Sequence, residues 1–63
     1  MPIAQIQILE GRSPEQKRAA IEKVTQALHE ALGAPPESVR VVILEVPKEN
    51  WGIGGRTAKE LGR

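Results

Sequence analysis

Three residues in this sequence have the type and placement to do chemistry: Pro2, Arg12 and Arg40. A small second residue such as Pro2 favours removal of the initiator methionine, and the proline is then left with a free secondary amine. That amine is a base and a nucleophile that needs no side chain. An α-amine ordinarily has a pKa of about 7.7–8.0, and burial beside cations lowers it by disfavouring the charged form. The outcome is a base poised near neutral pH. The plainer reading of Pro2 is a strand's first residue, a position that tolerates a missing N–H. Arg12 lies just before a helix start, where the dipole favours anions and mildly penalises a cation. Its placement is explained if guanidinium and helix amides together hold an anion; otherwise it is a solvated loop arginine. Arg40 is a cation among the apolar residues of a strand. It pairs with Glu37 or Glu45, or it faces a subunit interface or a pocket, because a buried arginine needs an acidic partner. Two arginines and a terminal amine suit a small dicarboxylate or a 2-oxo acid.

Other chemistries are poorly supported. The chain has no cysteine, which removes disulfides, thiolate catalysis and cysteine-based metal sites. His29 is the only histidine and falls on the polar side of a helix, so it reads as a solvated residue and not as a metal ligand or triad member. The segment Gly52-Ile53-Gly54-Gly55 lacks the strand before it, the helix after it and the Lys-Ser/Thr ending of a phosphate loop, so it reads as a turn. Nine Lys and Arg against eight Asp and Glu leave a net charge of +1, too balanced for a nucleic-acid or membrane-surface protein. Gln and Glu within the first ten residues break any signal-peptide core, and no apolar run approaches membrane-spanning length. A cytoplasmic protein without metal or cofactor is expected, acting on a small acid.

The elements that must position these residues are legible. IAQIQIL, residues 3–9, alternates as a strand, with Ala4, Ile6 and Ile8 on one face and Ile3, Gln5, Gln7 and Leu9 on the other. Gly11 breaks it. Ser13, Pro14 and Gln16 then form an N-cap, a first-turn proline and a capping box. Ala20, Ile21, Val24, Ala27, Leu28, Ala31 and Leu32 recur at helical spacing, and Gly33 with Pro35-Pro36 stops the helix, which therefore runs from about 14 to 32. SVRVVILEV supplies a second strand over about 39–46, apolar on both faces. A β-α-β order with a long helix implies a right-handed crossover and parallel strands. Trp51 to Arg56 reads as a short hairpin, and TAKELGR as a helical turn or an extended arm. The fold class is α/β (α+β), one domain over residues 1–63.

So small a chain is near the limit of independent stability. Trp51 is its only aromatic residue, and the ordering entropy of roughly 1.5 kcal/mol per residue nearly cancels what apolar burial supplies. One helix covers only one face of two strands. The other face needs another copy or another protein, so an oligomer is expected.

Taken together, the PIAQI start, the ILEGRS turn, the SVRV strand and the WGIGG segment resemble the 4-oxalocrotonate tautomerase family, the short-chain branch of the tautomerase superfamily, over essentially the whole chain. The resemblance implies a tautomerase-like β-α-β fold assembled as a homohexamer, a trimer of dimers sharing four-stranded sheets. It implies that Pro2 is the general base of a cofactor-independent isomerase in aromatic catabolism, turning 2-hydroxymuconate-like dienols into 2-oxo-3-enoate diacids. By the same resemblance Arg12 binds the distal carboxylate, while Arg40 of a neighbouring subunit and the backbone amide of Leu9 hold the oxygen end. Trp51 stands where the family has phenylalanine in a hydrophobic wall that keeps the amine's pKa low. The larger ring narrows the pocket or shifts preference, and a phenylpyruvate-type keto-enol tautomerase is the alternative. Neither Glu45 nor Glu49 matches the water-activating carboxylate of related dehalogenases. If Met1 stays, Pro2's nitrogen is a non-basic amide, and the alternative is a non-catalytic oligomeric module.

Overall fold

In the computed structural model, which describes residues 1–63, the alternating run Ile3–Leu9 forms strand β1. Ala4, Ile6 and Ile8 turn toward the helix and are half-buried, while Ile3, Gln5 and Gln7 are exposed. Helix α1 spans Pro14–Leu32. Its start is a complete capping box: the Gln16 N–H donates to Ser13 Oγ at 3.2 Å, and the Ser13 N–H donates to Gln16 Oε1 at 3.0 Å. Its end is Gly33, at φ +71°, whose N–H donates to the His29 carbonyl. His29 also places its ring Nδ1 2.7 Å from the Ala34 carbonyl, so this histidine seals the helix end and is not simply solvated.

Strand β2, Arg40–Val46, runs parallel to β1 in the register Ile3↔Arg40 through Leu9↔Val46. Val39, expected as its first residue, instead closes the 3-10 turn Pro36–Ser38 by donating to the Pro36 carbonyl at 3.1 Å. Pairing starts one residue later because the first ladder bond joins the Arg40 N–H to the Pro2 carbonyl, at 3.0 Å. After the 3-10 turn Lys48–Asn50 come the two-residue strands β3, Gly52–Ile53, and β4, Arg56–Thr57, paired antiparallel. Gly54 and Gly55 join them at φ +60° and +86°, as a two-residue type I′ hairpin demands. The last residues close as a turn and not as an arm, with the Arg63 N–H donating to the Ala58 carbonyl at 2.9 Å.

The helix lies against β2, and only part of its apolar stripe is used. Lys17, Ala20, Val24, Thr25 and Leu28 are half-buried, while Ala27 and Ala31 are exposed and Ile21 and Leu32 keep 39% and 64% of their surface. The sequence pattern groups all the apolar positions into one buried face; a single helix over two strands has contact for one row of them. Lys17 Nζ pins the first turns to β2 through Glu45 Oε1, at 2.8 Å. On the far side of the sheet Ile3, Val42 and Leu44 are bare. Only Val39 and Ala58 are buried, and the radius of gyration is 14.5 Å where a compact chain of this length has about 11 Å. A single chain therefore has no closed core. No helix is long and apolar enough to cross a membrane.

Candidate active site

The parallel register decides which candidate residues share an end of the sheet. Pro2 and Arg40 meet at the start of both strands, where the Arg40 N–H donates to the Pro2 carbonyl. Their side chains diverge. Arg40 pairs with Ile3 in register and so shares the bare face with Ile3, Val42 and Leu44, whereas the alternation places Pro2 on the helix side with Ala4. Arg40 does not pair with Glu37 or Glu45 through a carboxylate. Its Nη1 donates to the Glu37 carbonyl at 2.8 Å, which tethers the exposed guanidinium without neutralising it. Glu45 is occupied by Lys17. Met1 is 84% exposed and precedes the first ladder bond, so the ladder is anchored without it.

The other candidates gather at the opposite end. Ladder bonds from Arg40 to Pro2 and from Glu10 to Val46 set the phase of the parallel pairing. Even-numbered residues of β1 bond to β2, and odd-numbered ones point outward. The Leu9 N–H therefore faces the open edge of β1, available to an acceptor. Beyond the turn at Gly11, φ +115°, Arg12 takes no part in either ion pair of the chain or in any hydrogen bond. Its side chain lines a hollow of about 250 Å³ beneath the helix start, with Ile6, Ile8, Gln16 and Ala20. The helix amides contribute less here than the sequence suggests. Pro14 has no N–H and the Gln16 N–H is spent in the capping box, so any anion is left chiefly to the guanidinium and the dipole.

Trp51 lines a second hollow, of about 220 Å³, with Gln7, Val46, Asn50 and Gly52. The ring is half-buried and its indole N–H makes no hydrogen bond. Gln7 and Asn50 were not singled out by sequence, since a polar residue on a bare face and one in a turn carry no signal of shared space.

Pro2 and Arg12 share a face but not a site within one chain. Four residues of strand, about 13 Å, run from Pro2 to Ile6 at the near edge of the Arg12 hollow. About 23 Å of strand separates Pro2 from Leu9. No group of three or more histidine and carboxylate side chains converges as a metal ligand set would.

A family model described as a tautomerase enzyme matches residues 2–60. The sequence is similar to 2-hydroxymuconate tautomerase from Comamonas testosteroni, 71% identical over 63 residues and covering all of both chains. It is 68% identical to 2-hydroxymuconate tautomerase from Pseudomonas putida, again over the full length of both. Among solved structures, a 4-oxalocrotonate tautomerase isozyme from Methylibium petroleiphilum superposes with a TM-score of 0.95 at 71% identity, covering 98% of this chain and 100% of that one. A heterohexamer 4-oxalocrotonate tautomerase from Chloroflexus aurantiacus J-10-fl gives 0.92 at 39% identity, with 97% and 98% coverage.

Proposed function

The chain belongs to the tautomerase family, and from that membership we propose that it interconverts 2-hydroxymuconate and its 2-oxo-3-enoate isomer without a cofactor. The reading is carried by the full-length identity of 71% to a 2-hydroxymuconate tautomerase. With Met1 removed, the Pro2 amine takes the proton of the substrate's 2-hydroxyl. The electron pair moves through the diene, the C2–O bond becomes a carbonyl, and the same amine returns the proton at carbon 5. Arg40 and the Leu9 N–H hold the oxygen end, where negative charge develops in the transition state. Arg12 receives the far carboxylate, and Trp51 walls the amine from water. Proton transfer by a positioned base and stabilisation of the oxyanion each contribute a factor of about 10² or more.

These roles require more than one chain. The reading takes Arg40 from a neighbouring subunit, which its place on the bare face supports, and takes the assembly to be a homohexamer. Ile3, Val42, Leu44 and Leu32 supply apolar surface for the contacts. Size-exclusion chromatography is expected to give about six times the 6.9 kDa chain mass; a stable monomer would contradict the assembly and the shared site.

Arg12 provides the test of substrate class. Replacing it with alanine is expected to raise KM for 2-hydroxymuconate roughly 30-fold, the scale of one bidentate guanidinium–carboxylate contact. Ketonisation of the enol of phenylpyruvate, which has no second carboxylate, should change by less than about twofold. An equal loss with both substrates would remove the anchoring role and favour the monoacid reading.

A further inference from the structure

Glu10 has no part in the reaction just described, yet it is held at two points. Its N–H donates to the Val46 carbonyl at 3.0 Å, and its Oε2 accepts the Lys48 N–H at 2.9 Å. Pro47, at φ −59°, sits between the two contacts and stiffens the chain there. A residue at the end of β1 is thus clamped to a turn 38 residues later. The bonding continues from that turn to the tryptophan. The Lys48 carbonyl accepts the N–H groups of Trp51 at 3.4 Å and Lys59 at 3.3 Å. The Trp51 carbonyl accepts the N–H of the fully buried Ala58 at 2.7 Å. The clamp has an electrostatic consequence as well. Glu10 is the acid nearest to Arg12 in sequence, and while its carboxylate serves Lys48 the guanidinium stays unpaired.

We propose that Glu10 is a positioning residue: its carboxylate holds the Trp51 segment in register with the Leu9 amide and Arg12, and leaves Arg12 free for the substrate. The catalytic half of this statement rests on the tautomerase roles given above; the mechanical half does not. Trp51 is the only aromatic residue, so its fluorescence reports this one place.

The experiment compares three variants of the processed, assembled protein. Glu10→Ala removes the acceptor, Glu10→Gln retains a neutral one, and Lys48→Pro removes the donor without touching Glu10. Proline suits that position because it opens the turn after Pro47. With assembly checked by size exclusion, Glu10→Ala and Lys48→Pro should each red-shift Trp51 emission and raise its acrylamide quenching about twofold. Each should also lower kcat/KM for 2-hydroxymuconate about tenfold, the scale of one hydrogen bond to a charged group. Glu10→Gln should stay within about twofold of wild type in both readings. Unchanged Trp51 emission in assembled Glu10→Ala or Lys48→Pro protein overturns the proposal, as does a Glu10→Gln variant as impaired as Glu10→Ala. The optical readings use no substrate. A wild-type protein that fails to turn over 2-hydroxymuconate refutes the proposed function and leaves the mechanical result standing.

Discussion

Pro2→Ala, with Met1 removed, is expected to lower kcat for 2-hydroxymuconate about 100-fold, the lower end of what a positioned general base supplies. The loss is incomplete because alanine still presents a primary α-amine at the same end of β1. What disappears is the ring, which blocks rotation about the N–Cα bond and so fixes the direction of the nitrogen's lone pair. The paired control is a chain that keeps Met1. There the nitrogen of Pro2 is an amide whose lone pair is delocalised into the carbonyl, and turnover by this route should vanish. Intact mass identifies the processed form, and loss of the dienol's ultraviolet absorbance measures the rate. The sign of the pH dependence follows from the same assignment: the amine acts only when unprotonated, so kcat/KM falls as pH drops through its pKa. Equal rates for processed wild type and Pro2→Ala would refute the base assignment.

Arg40→Ala should cost about 10² to 10³ in kcat, comparable to deleting one oxyanion-stabilising donor. KM should move less, because the contact strengthens as charge develops on the substrate's oxygen. The position of Arg40 permits a sharper test than the single substitution. Its guanidinium lies on the bare face of the sheet and Pro2 on the helix side, so one chain does not point both at one substrate. A site that takes Pro2 from one subunit and Arg40 from another can be rebuilt from two defective chains. Co-refolding equal amounts of Pro2→Ala and Arg40→Ala protein should restore about one quarter of the sites, the fraction in which intact residues meet. If both residues come from the same chain, no mixed site is whole and activity stays at the level of the parents.

Much of this architecture is written locally. Ser13, Pro14 and Gln16 start the helix because their side chains satisfy, or lack, the first backbone donors. Gly33 ends it because a left-handed residue is needed there. Gly54 and Gly55 make the hairpin for the same reason of positive φ. Each of these signals acts over three or four residues, so a linear reading catches it. The same reading leaves open whether Arg40 pairs with Glu37 or Glu45 or faces an interface or a pocket, and whether helix amides join Arg12 in holding an anion. Competition for partners narrows both. Lys17 reaches Glu45 across the helix–sheet contact, a carbonyl takes Arg40, and the capping box consumes a helix donor near Arg12.

Composition and pattern by themselves determined the strands, the helix and its ends, and the choice of Pro2, Arg12 and Arg40 as the residues worth weighing. Those properties depend on near neighbours and on residue chemistry. Tertiary structure alone decided that Pro2 and Arg40 share one end of the sheet while Leu9, Arg12 and Trp51 share the other. It also decided that the Leu9 N–H is free and that Glu10 reaches Lys48. The physical reason is the parallel register between Ile3–Leu9 and Arg40–Val46. Parallel strands need a long crossover, so the residues they bring together lie more than thirty positions apart in the chain. A shift of that register by one residue would turn every side chain to the opposite face and dissolve the arrangement.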